Sequence, residues 1–221
     1  MPLYKYLAEE AYATALIEKG QIFAPPLSYF RAYEDELVRG DPNDGKLRHE
    51  PEGGLVLTKE SGEVVQMPPG WQFRASVRAH DIFVYCLSTE LSPEIANKFE
   101  CLFCVEINEP SLLGRISRHV RLRSKLDRNG IYSREIDYRK LVTAPGTDWA
   151  LPERVAFIKP EDWKWQREHR IVMGRKGAFA VENVECALEN DGGEVSVSAT
   201  ATDPLILHVG NLSKIAKLHK F

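Results

Sequence analysis

The sequence predicts an α+β fold: a single domain around a bent or split, mostly antiparallel sheet. Residues 82–87 form a continuous apolar run, which is typical of a strand buried on both faces. Residues 101–107 form another predicted strand, which ends at Asn108-Glu109-Pro110. Residues 110–123 place apolar side chains at helical spacing, so a helix follows the second strand.

Shorter elements precede and follow this centre. In the first part of the chain we expect a strand at 3–6, a helix at 8–19, a brief helix from Ser28 to Arg39, a polar loop at 40–54 and a hairpin at 55–58 and 63–67. In the second part we expect strands at 135–138 and 168–173, two or three antiparallel strands within 178–207, and a last helix at 211–218. The strands at 3–6, 82–88, 101–107, 135–138 and 168–173 are expected to share one core, because each must bury an apolar face.

The chain divides by composition near residue 177. Residues 1–177 carry the strongest strand and helix signals and form the predicted core. Residues 178–221 alternate between apolar and polar positions with Gly-Gly and Asp-Pro breaks, so they predict a β-rich extension packed on that core.

Composition excludes several classes of protein. The chain has 221 residues, with 29 Lys and Arg against 32 Asp and Glu, and its net charge of −3 argues against a globally basic nucleic-acid binder. No apolar run reaches the roughly 18–20 residues that span a membrane, and the N-terminus has no apolar stretch of signal-peptide type. We therefore expect a cytoplasmic protein with no membrane association.

Neither metal nor disulfide chemistry is predicted. The six histidines are scattered, without a second His or Cys at ligand spacing. Cys101 and Cys104 form a CxxC, but it falls within the predicted strand, where alternation sends the two sulfurs to opposite faces. We expect both cysteines to be reduced and unbridged.

A basic stretch runs from Arg115 to Arg128 and contains six cations and one acid. On a helix its arginines lie opposite the apolar face. Two interpretations stay open: a solvated outer face, or a nucleic-acid surface in which Arg118 and Arg121 contact phosphates.

The most informative segment runs from Trp163 to Val172. If its second half is extended, Gln166, Glu168 and Arg170 share one face, so an amide and a carboxylate stand side by side. The alternative is a surface ion pair of Glu168 with Arg170 or Arg167 on an edge strand.

The order of these segments resembles a widespread bacterial domain family over about residues 3–174. Its members open with a Leu-Tyr-Lys/Arg-Tyr strand, here residues 3–6, and close with a Lys…Trp-x-x-Glu-x-Glu-x-Arg segment, here running from Lys159 to Arg170. Gln166 stands where that family has the first Glu.

The same order resembles the ADP-ribosyltransferase superfamily, and the resemblance implies an ADP-ribosyltransferase-like fold with NAD⁺ as co-substrate. By that resemblance, Lys5 grips the dinucleotide, Ser88 supports the site, and the Gln166-x-Glu168 pair carries the chemistry. A carboxylate at Glu168 suits this reaction because it stabilises an oxocarbenium-like ribose. The aromatic residues that either stack on the bases or belong to the core are Tyr4, Tyr6, Tyr29 and Phe30.

The resemblance implies a neutral acceptor, since the Gln-x-Glu form resembles transferases that modify amides or guanine-type amines. The expected partner is thus a protein amide or a nucleic acid, and the protein is expected to act as a toxin or phage-conflict effector. Glu168→Gln is expected to leave folding nearly intact, as a substitution at a cleft surface. Three other functions stay open: an NAD⁺ glycohydrolase, a non-catalytic nucleic-acid or protein-binding module that uses the basic face at 115–128, and a nuclease or other hydrolase that acts through other carboxylates.

Overall fold

The computed structural model describes residues 1–31, 43–140, 142–190 and 203–221. They form one mixed α+β fold with mostly antiparallel sheets and few helices. The strands are β1 (Pro2–Leu7), β2 (Gln21–Ala24), β3 (Lys46–His49), β4 (Val56–Thr58), β5 (Val64–Gln66), β6 (Trp71–Val77), β7 (Ile82–Ser88), β8 (Phe103–Asn108), β9 (Leu126–Glu135), β10 (Asp137–Arg139), β11 (Ile158–Pro160), β12 (Glu168–Arg175), β13 (Val184–Asn190), β14 (Leu205–His208) and β15 (Ala216–Lys220). The α-helices are α1 (Glu10–Lys19), α2 (Leu27–Arg31), α3 (Pro93–Lys98), α4 (Glu109–Arg121) and α5 (Pro152–Val155).

A six-stranded antiparallel sheet forms the centre, in the order β15-β8-β1-β7-β12-β9. Four of the five strands expected to share one core lie in it. The fifth, predicted at 135–138, is divided. Ile136 is buried, and at this point the chain leaves the central sheet; Asp137 then begins β10, which pairs in parallel with β11.

Both faces of this sheet are covered. Along β7, Phe83 and Tyr85 belong to a core shared with α1 and α4, whereas Ile82 and Val84 belong to a second core with α5. Burial on both faces, which the apolar run at 82–87 predicted, is therefore confirmed. Burying apolar surface on both faces stabilises the fold by about 25 cal/mol per Å².

The residues after 177 supply strands to three sheets. β13 pairs with β6, β14 with β2, and β15 with β8 at the edge of the central sheet. The helix predicted at 211–218 is wrong: Asn211 Oδ1 accepts a hydrogen bond from the Ser213 amide in a local turn, and the chain then extends into β15. The predicted boundary at residue 177 does not separate one sheet from another.

The first part of the chain follows the prediction in some places only. The predicted hairpin is the β4–β5 pair. The brief helix begins as α2, and the predicted part beyond residue 31 lies outside the described residues. The loop predicted at 40–54 instead contains β3, which pairs with β6 through Leu47 and Ala75. β6 and most of β9 were not predicted.

Candidate active site

Two neighbouring strands of the central sheet separate and leave a gap beside a cavity. β1 pairs with β8 along its whole length, but with β7 it shares the single pair Tyr4–Ser88. Beyond that pair, β7 bonds to the Pro25–Pro26 segment instead, where the Val84 amide donates to the Pro25 carbonyl at 2.9 Å. A cavity of about 750 Å³ lies where the strands diverge. This volume falls within the roughly 300–1,000 Å³ typical of sites for small ligands and cofactors.

Three of the predicted site residues lie in one row across the sheet. Tyr4 on β1 is opposite Ser88 on β7, and Ser88 is opposite Glu168 on β12. Directly opposite residues of antiparallel strands project from the same face, with Cβ atoms about 5 Å apart. The three side chains therefore stand side by side, and all three line the cavity.

Glu168 is buried between two cations, with 5% of its surface exposed. Arg170 Nε donates to its Oε1 at 2.6 Å, and Lys159 Nζ donates to its Oε2 at 2.9 Å. Burial raises the pKa of Glu168, but the charges and hydrogen bonds of Arg170 and Lys159 outweigh burial and hold that pKa well below its ordinary value. The carboxylate is therefore ionised at neutral pH.

The predicted alternative was a surface ion pair on an edge strand, and both the surface position and the edge strand are wrong. Glu168 does pair with Arg170, but the pair is buried and β12 lies between β7 and β9. Arg167 pairs with Glu90 instead, at 3.5 Å. The expectation that Glu168→Gln leaves folding nearly intact assumed an exposed cleft position, and the burial of Glu168 removes that basis.

Arg170 is completely buried, and it holds Glu168 in place. Its Nη1 and Nη2 donate to the two carboxylate oxygens of Asp44 at 2.8 and 2.7 Å, and Nη1 also donates to the Ala156 carbonyl at 2.8 Å. Nη2 makes a longer contact with Glu168 Oε2 at 3.4 Å. Burial lowers the pKa of Arg170, but Asp44 and Glu168 raise it further than burial lowers it, so the guanidinium stays charged.

Gln166 reaches the site by a different route from the one predicted. It ends a 3-10 helix, Glu161–Gln166, and Arg167 takes a left-handed conformation with φ 46°, so the extended strand begins only at Glu168. Gln166 Oε1 accepts a hydrogen bond from Lys159 Nζ at 3.0 Å. Lys159 therefore joins the amide to the carboxylate, although strand alternation does not place them on one face.

Ser88 supports the backbone of this segment. Its hydroxyl donates to the Gln166 carbonyl at 3.1 Å and accepts from the Glu90 amide at 3.2 Å. The Thr89 amide donates to the Arg167 carbonyl at 2.8 Å. Ser88 and Thr89 thus fix the turn from which β12 begins.

Lys5 lies in the gap between the two strands. Its Nζ donates to the Cys86 carbonyl of β7 at 2.9 Å and lies 4.9 Å from the centre of the Tyr85 ring. Lys5 also lines the cavity, so it brings a positive charge to the wall next to the row of site residues.

Aromatic side chains line two parts of the cavity wall. Tyr12, Phe23 and Tyr29 come from α1, β2 and α2, and each has more than 40% of its surface exposed. Tyr6 and Phe99 line the wall near α3, with ring centres 6.0 Å apart. The Tyr6 hydroxyl donates to the Glu90 carbonyl at 2.8 Å, so this ring is held by its polar end. Tyr6 also stacks on Phe221 and Phe99 packs against Trp165, so the exposed aromatic surface of the wall comes from Tyr12, Phe23 and Tyr29. Planar rings can stack on such surfaces.

The family motif includes Lys159 but predicts no contact for it, and Asp44 is predicted only as part of a polar loop. Lys159 ends a short apolar run that begins at Val155, and a single lysine in such a run is a signal of a buried, paired cation. Asp44 lies in a polar stretch between Asn43 and Gly45, which carries no sign of burial.

The predicted basic face is divided among three elements, because α4 ends at Arg121. Arg118 and Arg121 are exposed on α4. Arg115 donates to the Asn211 carbonyl at 2.7 Å, and Arg123 donates to the Ile206 carbonyl at 3.1 Å. Two of the six cations therefore hold the C-terminal segment.

The four cysteines are free thiols. Cys104 lies on β8, but Cys101 precedes the strand, so alternation does not set the direction of its side chain. Burial, with smaller contributions from Cys101 and Glu106, raises the pKa of Cys104 to about 12, which makes this thiol unreactive at neutral pH.

Comparison with known proteins returns no match: no family model, no curated protein and no solved structure is similar to the chain. Within the described ranges, which omit residues 32–42, 141 and 191–202, no group of three or more His, Cys, Asp or Glu side chains could hold a metal ion. In the same part of the chain, no helix is long and apolar enough to cross a membrane. The chemistry of the cavity is therefore the basis for assigning a function.

Proposed function

We propose that this protein is an NAD⁺-dependent, ADP-ribosyltransferase-like enzyme whose site is the cavity between β1 and β7. The observation that carries the proposal is that one cavity collects the residues selected from the sequence for this chemistry. They are Tyr4, Lys5, Tyr6, Tyr29, Ser88, Gln166 and Glu168.

The charges and surfaces of the cavity suit a dinucleotide. Among the described residues, Lys5, Lys159 and Arg170 line it with Glu168, so this part of the lining carries an excess of positive charge, which favours a pyrophosphate. Tyr12, Phe23 and Tyr29 line the cavity with exposed rings, on which a planar base of a dinucleotide can stack.

In the reaction, the bond between the ribose C1′ and nicotinamide breaks, and its electron pair leaves with the nicotinamide. The ribose becomes an oxocarbenium-like cation, and the Glu168 carboxylate stabilises this positive charge. An acceptor nitrogen or oxygen then bonds to C1′ and gives up a proton. Because Gln166 is neutral and held by Lys159, a neutral amide or nucleobase is the acceptor that suits its position. We place the enzyme among effectors that modify a protein amide or a nucleic acid.

The test is to incubate purified protein with NAD⁺, alone and with amide-bearing proteins or single-stranded nucleic acid, and to measure free nicotinamide. Release of nicotinamide, with transfer of ADP-ribose to one acceptor detected by mass spectrometry, is the expected result. The proposal is overturned if neither water nor any acceptor leads to nicotinamide release.

One observation favours a second function, that of a nucleic-acid-binding module. Arg118 and Arg121 are exposed on the side of α4 that faces away from the buried Leu112, Ile116 and Val120. If phosphates bind there, replacing both arginines weakens binding. It also reduces the dependence of the affinity on salt, because a complex with fewer phosphate contacts releases fewer counterions when it forms.

A further inference from the structure

Lys159 is the cation that links the two halves of the site. It lies on β11 with 5% of its surface exposed, and it lines the cavity. Its Nζ donates to Gln166 Oε1 at 3.0 Å and to Glu168 Oε2 at 2.9 Å, and lies 5.1 Å from the centre of the Trp163 ring. A lysine ammonium has three N–H donors, and these two hydrogen bonds use two of them.

Arg170 differs in this respect. A guanidinium has five N–H donors. The contacts of Arg170 with Glu168, Asp44 and the Ala156 carbonyl also number five. A new contact between Arg170 and a ligand would have to replace one of these, whereas Lys159 has a donor to offer.

The lining of the cavity indicates which ligand atom would accept that donor. Among the described residues, the charged side chains of the lining are the cations Lys5, Lys159 and Arg170 and the acid Glu168, so an anionic oxygen is favoured over a neutral or cationic group. A phosphate oxygen is the anionic acceptor that a dinucleotide supplies.

We infer that Lys159 is a further ligand-contacting residue of this cavity, which holds Gln166 and Glu168 with two N–H donors and donates the third to a phosphate oxygen of the bound dinucleotide. This assignment rests on the proposed function, since it takes the dinucleotide as the ligand. Lys159 would thus set both the affinity for phosphate and the position of the reacting pair.

The first test is calorimetric titration of the full chain with ADP-ribose. Lys159→Met is expected to weaken binding about tenfold or more, because a charge-assisted hydrogen bond is lost. Lys159→Arg keeps the charge and is expected to retain most of the affinity. Lys98→Met is the matched control, because Lys98 lies over the Trp165 ring, outside the lining of the cavity, and its loss is expected to leave the affinity unchanged.

The second test is the pH dependence of nicotinamide release, measured only at pH values where circular dichroism shows that the variant and the wild type are both folded. Removing Lys159 takes away one of the cations that lower the pKa of Glu168, so the Glu168 carboxylate becomes easier to protonate. As the pH is lowered, Lys159→Met should therefore begin to lose activity at a higher pH than the wild type. Lys159→Arg should restore the wild-type profile. Among the described residues, Lys159 and Arg170 act directly on the pKa of Glu168. The titratable groups His169, Tyr138 and Cys86 also lie close to Glu168, and Asp44 acts on it through Arg170.

The outcomes separate the two proposals. If the wild type binds ADP-ribose and releases nicotinamide, but Lys159→Met has the same affinity and pH profile, the assignment of Lys159 is overturned and the proposed function stands. If the wild type binds neither ADP-ribose nor NAD⁺, the proposed function is overturned, and this assignment with it. Should Lys159→Met fail to fold, Lys159→Gln is measured instead, with the same expected loss of affinity.

Discussion

The buried charged cluster beside the cavity, formed by Lys159, Arg170, Glu168 and Asp44, differs in its electrostatics from the exposed arginines of α4. In the cluster, Lys159 and Arg170 are buried, and each forms an ion pair with the Glu168 carboxylate at 2.9 Å or less. On the basic face, Arg118 and Arg121 are exposed to solvent. Burying a charge costs several kcal/mol unless it is paired, whereas an exposed charge costs almost nothing.

This difference decides how much each region says about function. A fully paired cluster of buried charges next to a cavity costs desolvation energy, so it is more informative than a solvated arginine face of similar charge. Perturbed, specifically paired groups in a cleft are typical of functional sites. The cavity is therefore the better candidate for the site of function, and the following predictions test this contrast.

The largest expected effect on stability comes from Asp44→Asn. Arg170 would keep its charge in a fully buried position and lose its bidentate partner. We expect the free energy of unfolding to fall by about 3–5 kcal/mol, measured by urea denaturation. The matched control is Asp137→Asn, whose carboxylate pairs with Arg139 but is more than half exposed, with an expected loss of at most about 1 kcal/mol. Equal losses in the two variants would contradict the contrast.

Glu168→Gln is expected to destabilise the protein by about 3 kcal/mol, because it leaves two buried cations without the anion that they share. Glu90→Gln makes the same chemical change at a half-exposed carboxylate that pairs with Arg167, and it should cost less than about 1 kcal/mol. Thermal and urea denaturation at pH 7 measure both values. A Glu168→Gln protein as stable as the wild type would show that the buried pairs contribute nothing net.

The difference in the free energy of unfolding between the wild type and Glu168→Gln should depend on pH. The folded-state pKa of Glu168 lies well below the ordinary value of 4.5, so the stabilisation is complete above that value. As the pH falls below 4.5, the unfolded chain takes up the proton first, and the stabilisation is lost as the pH falls towards the folded-state pKa. Urea titrations of both proteins between pH 7 and pH 3 measure this, and a difference that stays constant would contradict the prediction.

The smallest effects belong to the basic face. Arg115→Gln loses the hydrogen bond to the Asn211 carbonyl and should cost about 1 kcal/mol. Arg118→Gln should stay within about ±0.5 kcal/mol, because the side chain is exposed. Thermal denaturation of the two variants compares them, and a larger loss from Arg118→Gln would mean that this arginine has a structural partner.

How far the sequence predicts this molecule differs between its parts. The apolar run at 82–87 and the helical spacing of Leu112, Ile116 and Val120 predict their elements correctly, because local periodicity records burial directly. The strand β15 was predicted as a helix, because an edge strand is defined by its partner β8 and not by its own pattern. The sequence allowed several residues of the cavity to be named, but it did not predict which of them form hydrogen bonds and ion pairs with one another.

The reason is that pairing depends on contacts between distant parts of the chain. Asp44 and Arg170 are 126 positions apart, and no local pattern indicates that they meet. Lys159 is nine positions before Glu168, but the 3-10 helix and the left-handed Arg167 between them had to be known before their contact could be inferred. Strand alternation correctly predicted that Gln166 and Glu168 lie close together, but for the wrong reason. Gln166 lies outside the strand, and Lys159 joins the two side chains.

The most direct test of the account is one assay that compares the two regions, the release of nicotinamide from NAD⁺. Wild type, Glu168→Gln and the double variant Arg118→Gln/Arg121→Gln are measured at a temperature where all three are folded. We expect the wild type and the double variant to release nicotinamide at similar rates. Glu168→Gln should be slower by about 10²–10³-fold, because the charge that stabilises the oxocarbenium-like ribose is lost. Equal rates in the wild type and Glu168→Gln, or no release by the wild type, would contradict the central claim that this cavity is the catalytic site.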